Sequence, residues 1–402
     1  MTLTELEPDL SIVSGAFWGR NPHAELAWIR RHDPVYFDEA AGVWGISRYE
    51  HIKEIESDPA TFSNAGGIRP ETGPIPMMID MDDPEHRMRR KLVARGFTPN
   101  RVREQEPAIH TLVHDLIDEV CERGECDFVW DLAAWIPLIM IGDALGVEPE
   151  DRATLMRWSD DLLRGLGTED MELLLAAGEA FNGYGEYAAR VVEDRRGCPR
   201  DDLMSILVHA EVDGDRLDEH SILHESLLIL IGGDETTRHV MSGGAYQVLA
   251  QPDQWQKLLA DRELVVPAVE EMLRWVTPIK NMARTATRTV EFHGKTIEAG
   301  QKLLMLYPSA NRDEDHFPDP FVFDIERAPN DHLAFGFGTH FCLGSSLARL
   351  ELRALFNVLL DRLPDLRLVD AEEPAHRAAN FVSGYEGMKV AFTPTARRSP
   401  AA

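Results

Sequence analysis

Cysteine is scarce in this chain of 402 residues. The four cysteines are Cys121, Cys126, Cys198 and Cys342. Their spacing forms neither a paired CxxC zinc pattern nor the disulfide framework of a small secreted domain, so it suits a reducing cytoplasm. The first ten residues carry Glu5, Glu7 and Asp9 and no basic region followed by an apolar one. The sequence therefore predicts no signal peptide and a cytoplasmic protein.

Long hydrophobic runs are missing as well. The most apolar stretches, 132–142 and 227–233, fall well short of the about 18 residues that a membrane-spanning helix needs. Pro137 lies within the first stretch, and Glu225 and Asp234 bound the second. We therefore expect no transmembrane segment.

Basic residues are few, since 41 Lys and Arg face 69 Asp and Glu, which gives a formal net charge of −28. Such a surface repels phosphate backbones and anionic lipid headgroups, so we expect no nucleic-acid or membrane-surface partner. It remains compatible with an uncharged, apolar substrate. Hydrophobic residues make up 44% of the chain and charged residues 27%, as in ordinary globular enzymes, which argues against a disordered or fibrous protein.

Hydrophobic periodicity predicts a mainly α-helical chain with a minor β region. We expect helices between about 98 and 260, and among them are 109–120, 171–192 and 202–208. Strands are expected at 35–37, 43–46, 289–292 and 303–306, with a turn at His293-Gly294. Proline and aspartate in the stretch 309–332 predict a long irregular connection. The ends, about 1–10 and 395–402, are expected to be frayed.

The most specific stretch is the decapeptide FGFGTHFCLG at 335–344, which precedes an amphipathic run at 345–360 that predicts a helix. A cysteine just before a helix N-terminus is easily kept as a thiolate, although an isolated cysteine there is more often a small buried hydrophobic side chain. Gly336 and Gly338 let the backbone approach a flat ligand, Phe335 can cover the sulfur, and Gly344 allows close contact by the helix. These features suit a thiolate, Cys342, bound to haem iron.

The decapeptide resembles the haem-binding signature of the cytochrome P450 family residue for residue. The resemblance implies that Cys342 is the axial ligand of the iron, with Phe335 and Gly344 against the haem. It also implies haem b as the cofactor, O2 as cosubstrate, and the mainly helical P450 fold with residues 1–402 in one domain. Because the chain contains no flavin or iron–sulfur segment, electrons from NAD(P)H are expected to come through a separate ferredoxin and ferredoxin reductase.

A second family motif, ExxR, matches Glu271-Met272-Leu273-Arg274. The spacing of three places carboxylate and guanidinium on one helix face. On its own, such a pair is usually a solvated ion pair worth about 0.5 kcal/mol. In the proteins that this chain resembles, the pair is buried and supports the haem pocket. Its partner in the connection that follows is either Arg327 or His332.

A third motif lies in the helix predicted across 227–237. Each glycine of the Gly232-Gly233 pair costs about 1 kcal/mol relative to alanine in an ordinary buried helix. The Thr236 hydroxyl can bond back to the carbonyl of Gly232, which loosens the helix. The stretch resembles the family's small-Gly-x-acid-Thr motif, with Glu235 and Thr236 as acid and alcohol. By that resemblance both are catalytic, Thr236 positioning dioxygen and Glu235 relaying protons to it.

A haem carries two propionates, whose burial requires cationic or hydrogen-bonding partners. At positions like those of the family, the chain offers His86, Arg90, Arg284 and His340. His86 and Arg90 form the family's HxxxR pattern, one helical turn apart. Without the resemblance, the run Arg89-Arg90-Lys91 would be interpreted as a solvated basic face. Arginines nearby could also help an acidic electron donor to dock.

Longer stretches, at 63–70, 76–84, 232–239 and 380–384, resemble bacterial, mycobacterial-type members of the family that oxidise the end of the cholesterol side chain. Ile75, Met77, Met78 and Ile79 form an apolar loop, and methionine adapts well to an irregular hydrophobic ligand, although each residue could equally pack in the core. The resemblance implies hydroxylation of a terminal methyl of cholesterol or cholest-4-en-3-one, and oxidation onward to an acid.

Two alternatives stay open at this point. The nearer one is a P450 that hydroxylates another apolar substrate, such as a terpene, a fatty acid or a macrolide. The other is a haem protein that binds or senses a lipid without turnover. The Glu235-Thr236 pair argues against the second alternative, because a binding protein needs no proton relay.

Overall fold

The computed structural model describes residues 10–212 and 215–398. Helices make up most of its regular structure. The α-helices are α1 Gly15–Gly19, α2 His23–His32, α3 Tyr49–Ser57, α4 Glu85–Val93, α5 Pro99–Glu104, α6 Glu106–Val120, α7 Trp135–Leu145, α8 Arg152–Arg164, α9 Met171–Gly197, α10 Leu203–His209, α11 Glu219–Ala250, α12 Pro252–Ala260, α13 Val265–Val276, α14 Tyr307–Ala310 and α15 Ser345–Arg362. Aspartates cap several of them: Asp170, Asp202 and Asp218 accept backbone N–H bonds from the first turns of α9, α10 and α11. The predicted helical region is confirmed.

The strands form one larger sheet and three small ones. They are β1 Val35–Asp38, β2 Val43–Ile46, β3 Phe62–Ser63, β4 Glu125–Asp127, β5 Glu211–Val212, β6 Asp215–Arg216, β7 Met282–Ala286, β8 Val290–Phe292, β9 Lys295–Ile297, β10 Lys302–Met305, β11 Arg367–Leu368 and β12 Lys389–Ala391. The five-stranded sheet has the order β1-β2-β10-β7-β3, with β2 and β10 parallel. The order β11-β12-β4 gives a three-stranded sheet, and β5-β6 and β8-β9 are hairpins.

The four predicted strands are confirmed to within one residue at each end. The predicted turn joins β8 to β9, and both of its residues have left-handed backbones, with φ of 46° at His293 and 82° at Gly294. This is the conformation that a two-residue type I′ hairpin requires.

The long helix α11 runs through the core and packs against α7, α9, α13 and α15. Its glycines permit these close approaches. A Cβ on Gly233 would lie 2.9 Å from Cγ1 of Ile141 on α7. The close crossing of α7 and α11 therefore offsets part of the helix-weakening cost of glycine at this position.

After α14, residues 311–332 contain neither helix nor strand, as predicted for this connection. The frayed ends largely fall outside the described residues, at 1–9 and 399–402. Residues 395–398 do not fit that expectation. The Thr395 N–H donates to the Cys121 carbonyl at the end of α6, and Arg398 pairs with Asp115 and Asp118 of the same helix.

One described stretch, Phe128–Leu145, is long and apolar enough to cross a membrane by length and composition, with a mean hydropathy of 1.6 over 18 residues. It consists of a short π-helix, Phe128–Ala133, followed after one residue by α7. The predicted apolar stretch, 132–142, is shorter because it leaves out the flanking apolar residues. The core helix of a globular protein passes the same test, and 67% of this stretch is buried inside the structure.

Candidate active site

A large cavity lies between α11 and the loop at 335–344 that leads into α15. It holds about 1730 Å³ of atom-free space, counted out to its opening to solvent. The predicted site residues that line it are His86, Arg90, Thr236, Arg284, Phe335, His340, Cys342 and Gly344. The remaining one, Glu235, is absent from its wall.

Two glycines shape the loop before Cys342. Gly336 and Gly338 have φ of 68° and 70°, left-handed conformations that side chains disfavour. A Cβ on Gly338 would lie 2.3 Å from the carbonyl oxygen of Glu56, so only glycine lets α3 pack on the loop. The N–H of Cys342 donates to the Phe335 carbonyl at 3.0 Å, which closes the loop just before α15 begins.

The Cys342 thiol faces the cavity in a setting that partly favours its ionised form. Burial raises the pKa of the thiol, while the backbone N–H of Gly344 and the guanidiniums of Arg90 and Arg349 oppose that rise. A metal bound to the sulfur deprotonates a thiol outright, so these groups would then stabilise a ligand that is already anionic.

The ExxR pair is completely buried and is held by the irregular connection, as predicted. Arg274 forks onto Glu271 with two bonds of 2.7 Å, and its Nη1 donates to the Asn311 carbonyl at 2.8 Å. Arg327 is the further partner, with its Nε 3.1 Å from Glu271 Oε2. His332 instead contacts Glu270 at 3.2 Å. The pair thus fastens α13 to the segment that carries the cysteine loop.

A second ionic contact, which the sequence did not reveal, joins α13 to α15. Arg349 donates two bonds of 2.8 Å to Glu270, and its guanidinium lies 4.6 Å from the centre of the Phe335 ring. Burial alone would raise the pKa of Glu270, but the bonds from His332 and Arg349 lower it to about 2. The contact with the Arg349 guanidinium therefore helps to fix the ring of Phe335, the first residue of the cysteine loop.

The residues that are predicted to bind the haem propionates lie along one side of the cavity. The His86 and His340 rings lie 4.0 Å apart, and Arg90 donates to the Phe341 carbonyl of the cysteine loop. Arg284 on β7 donates to Glu56 Oε1 at 2.7 Å. The other oxygen of Glu56 is buried without a partner, and burial raises the pKa of this carboxyl.

Tyr307 also donates to Glu56 Oε1, at 2.7 Å. Glu56, Arg284 and Tyr307 lie on α3, β7 and α14. Arg284 and Tyr307 are 228 and 251 residues away from Glu56 in the chain, which explains why no local pattern predicted this cluster.

The acid and the alcohol of the α11 motif lie in different surroundings. The Thr236 hydroxyl faces the cavity and donates to the Gly232 carbonyl at 2.9 Å, as predicted. Glu235 is fully buried and accepts bonds from Arg238 and from Arg377, the latter at 3.0 Å. Burial raises the pKa of Glu235, but the two guanidiniums outweigh burial and hold it below its ordinary value. Glu235 is therefore an ionised member of a buried cluster, and its relay role stays a prediction.

The wall beyond Thr236 is mostly apolar and includes Met77, Met78 and Ile79, while Ile75 does not line it. Arg69 is the exception in this region. Its side chain is buried, its Nε and Nη1 have no partner, and its closest carboxylate oxygen, on Asp80, is 3.8 Å away. The guanidinium lies 5.1 Å from the centre of the Phe381 ring. Arg69 thus has two buried N–H groups that are available for hydrogen bonding in this part of the cavity.

The family model described as Cytochrome P450 matches residues 161–365, which is half of the chain. The protein belongs to the cytochrome P450 family. It is 51% identical over 395 residues to the steroid C26-monooxygenase of Mycobacterium tuberculosis, covering 96% of this chain and 98% of that protein. It is 50% identical over 398 residues to the steroid C26-monooxygenase of Mycolicibacterium smegmatis, covering 98% and 99%.

Among solved structures, that of a Bacillus megaterium protein in complex with testosterone aligns with a TM-score of 0.87 and 32% identity, covering 93% of this chain and 98% of that one. The predicted helical fold with small sheets, the family and the haem-dependent monooxygenase activity are thereby confirmed. An enzyme of this family is favoured over the non-catalytic lipid sensor.

The cavity of this P450 fits a haem. The Cys342 thiol in its wall would hold the iron, and a Cβ on Gly344 would meet no atom within 4 Å, so the space over this residue is open. His86, Arg90, Arg284 and His340 supply donors for two propionates. P450 enzymes use haem iron, O2 and electrons from redox partners.

Proposed function

We propose that this P450 hydroxylates the terminal methyl carbon C26 of a sterol side chain, with cholesterol or cholest-4-en-3-one as substrate, and oxidises it further to the carboxylic acid. The observation that carries the proposal is the character of the cavity, whose wall beyond Thr236 is mostly apolar and includes Met77 and Met78. The names of the two full-length relatives support this choice of substrate.

The sterol lies with its methyl end toward the haem and its ring system against Met77, Met78 and Phe381. Flexible methionines can fit the irregular edge of a fused ring system. Arg69 donates a hydrogen bond to the oxygen on C3 of the sterol. This contact gives the buried guanidinium a hydrogen-bond acceptor, which its Nε and Nη1 lack in the protein although Asp80 lies 3.8 Å away.

When bound, the haem supplies the activation of O2 at an iron held by the Cys342 thiolate. The residues of the chain position the substrate and move protons. The Thr236 hydroxyl turns from the Gly232 carbonyl to donate a hydrogen bond into the cavity. Glu235 accepts protons only when its contact with Arg238 or Arg377 opens, because both guanidiniums hold its pKa down.

Electrons reach the haem from NAD(P)H through a ferredoxin reductase and an acidic ferredoxin. The ferredoxin docks on the surface beside the cysteine loop, where Phe341 is 40% exposed. Arg87 and Lys91 are exposed on α4, the helix whose Arg90 binds the Phe341 carbonyl, and Arg95 is exposed one turn farther on. This basic surface, formed by Arg87, Lys91 and Arg95, can attract an acidic partner although the whole chain has a charge of −28.

The protein acts in the cytoplasm without a membrane span. The apolar stretch Phe128–Leu145 serves as core, because its side chains pack with those of α11 and α6. Four cysteines, none of them in a disulfide in the described structure, agree with a reducing compartment.

The experiment is turnover of cholest-4-en-3-one by the haem-loaded protein with NAD(P)H, a ferredoxin, its reductase and 18O-labelled O2. We expect a C26 alcohol that carries one labelled oxygen, followed by the acid. The Cys342→Ser variant is the control for thiolate-dependent chemistry and should give no product. Hydroxylation of a fatty acid, a terpene or a macrolide in the same assay, with no sterol product, would contradict the proposal and leave the family assignment in place.

A further inference from the structure

A second cavity lies on the other side of the isolated β-bridge between Ile279 and Val382. Both bridge partners line the haem cavity, whereas the residues that follow them, Lys280 and Ser383, line the second cavity. His239, on α11, is also part of its wall. The second cavity holds about 570 Å³ of atom-free space, counted out to its opening.

Two buried cations face this second cavity. Arg312 is 2% exposed, and its Nη2 donates to the Trp275 carbonyl at 2.8 Å while its Nε and Nη1 have no partner. Lys280 is 8% exposed, and its Nζ donates to the carbonyls of Thr277 and Val276 at 3.0 and 3.4 Å. Neither cation lies within 4 Å of a carboxylate among the described residues.

Buried charges are costly when they are unpaired, and these two cations are compensated only in part, since Glu271 and Glu373 act on Arg312 from more than 4 Å away. The one carboxylate in the cavity wall, on Glu373, is engaged by the Tyr385 hydroxyl at 2.8 Å and by His376. Burial, together with the charge of Arg312, lowers the pKa of Lys280 to about 7. Such a lysine gains a proton readily when a negative charge comes close.

We propose that the second cavity is a binding site for a small oxoanion, held between the Arg312 guanidinium and the Lys280 ammonium. The free N–H groups of Arg312, on Nε and Nη1, lie on different edges of the guanidinium, and each can donate one hydrogen bond to an anionic oxygen. His23, whose Nδ1 is buried without a partner, adds a third polar group to the wall. The negative charge of the rest of the protein does not prevent binding, because exposed charges beyond about 10 Å are screened at 0.1 M salt.

Any ligand of this site must carry anionic oxygens, which a phosphate, a sulfate or a carboxylate can supply. Trp18, Leu26 and Trp275 give the wall an apolar part, so a small organic carboxylate fits as well as an inorganic ion. Separate titrations with phosphate, sulfate and acetate distinguish these sources. This inference is independent of the sterol proposal, since the occupant does not touch the haem cavity.

The test is calorimetric titration of the haem-loaded protein with each anion at constant ionic strength. We expect one saturable site for at least one of the three. Replacing one cation, as Lys280→Met, should weaken binding about tenfold or more, because a hydrogen bond to a charged group is lost. The matched control is Lys389→Met, at an exposed lysine of β12, which should bind as the unchanged protein does. An unchanged spectrum of the reduced carbon monoxide complex shows that each variant keeps its fold.

A second measurement keeps the inference testable if Lys280→Met does not fold. Crystals of the unchanged protein soaked in selenate should show anomalous selenium density between Arg312 and Lys280. Water alone in the cavity, saturable binding in none of the three titrations, or equal affinity of the Lys280→Met and unchanged proteins would overturn the proposal.

Discussion

The Thr236 hydroxyl lies in the wall of the haem cavity, whereas the carboxylate of its neighbour Glu235 does not. Sequence resemblance placed Glu235 and Thr236 together in one role, because they are adjacent in the chain. The structure separates them, since the partners of Glu235 include Arg377, which is 142 residues away. No local pattern could have predicted that contact.

Replacing Thr236 by alanine is expected to uncouple oxygen consumption from hydroxylation. The yield of product per O2 should fall about tenfold or more, at the low end of the about 10²–10⁴-fold that a positioned proton donor contributes. Product and hydrogen peroxide are measured against NAD(P)H consumed. Ser242→Ala is the matched control, because the Ser242 hydroxyl bonds back to carbonyls of the same helix outside the cavity. Well-coupled turnover by Thr236→Ala would contradict the role.

Arg69 is the residue at which the substrate proposal is most specific. The Arg69→Met variant should bind cholest-4-en-3-one about tenfold or more weakly, since a hydrogen bond to a charged donor contributes about 1.5–3 kcal/mol. Its affinity for cholestane, which lacks the oxygen at C3, should not fall, because Met keeps an apolar wall. Both affinities are measured by spectral titration of the ferric protein. An equal loss for the two ligands would mean that Arg69 only shapes the cavity.

At the scale of elements, the ExxR pair shows what sequence can and cannot reveal. The family resemblance predicted a buried tie between α13 and the following connection, which the spacing of Glu271 and Arg274 alone would not have done. The choice between Arg327 and His332 needed coordinates, because the irregular segment has no periodicity from which directions can be derived. Likewise, nothing in the sequence pointed to the Glu270–Arg349 pair, whose members are 79 residues apart.

The Glu271→Gln variant should destabilise the fold by about 3–5 kcal/mol, because Arg274 would keep its buried charge without a counter-charge. Haem occupancy should fall with it, since the released connection leads into the cysteine loop. Denaturant unfolding and the ratio of haem to protein absorbance measure the two effects. Glu263→Gln, at an exposed glutamate just before α13, should change stability by no more than about 0.5 kcal/mol. Equal behaviour of the two variants would show that the buried pair is not needed.

The low pKa of Glu270, which precedes Glu271 in the chain, predicts that the stability of the fold depends on pH. Its pKa in the folded protein is about 2, below the ordinary value of 4.5, so the contact stabilises the fold fully above pH 4.5. That contribution is lost as the pH falls from 4.5 toward 2. In the Glu270→Gln variant, stability should therefore fall less steeply over this range than in the unchanged protein. Parallel stability curves for the two proteins would contradict the assignment.

At the scale of the whole molecule, the cysteine loop alone was sufficient to predict the fold. Strand and helix positions followed from periodicity, and the His293-Gly294 turn followed from its residue types. The apolar stretch at Phe128–Leu145 was underestimated because the prediction rested on 132–142 alone. The second cavity was also beyond prediction, since its wall combines residues from 18 to 385. The single domain of 1–402 stays a prediction, to which the span of the haem cavity from Glu56 to Val382 gives support.

Because the whole molecule is strongly negative, the docking surface proposed at Arg87, Lys91 and Arg95 can be tested by reversing one of its charges. The Lys91→Glu variant should be reduced by an acidic ferredoxin about tenfold more slowly at low ionic strength, because electrostatic steering is reversed locally. The difference should shrink as salt is added. Stopped-flow reduction in the presence of carbon monoxide measures the rate. Lys389→Glu carries the same charge change on β12, and an equal effect of the two variants would indicate repulsion by net charge instead of docking.

The most direct test of the central claim, that a sterol occupies the cavity above Cys342, is titration of the purified ferric protein with cholest-4-en-3-one. The absorption of the haem reports displacement of the water ligand from iron. We predict a saturable shift from low spin to high spin at low steroid concentration. Absence of a shift with the steroid, together with a shift produced by a fatty acid or a terpene, would contradict the sterol assignment.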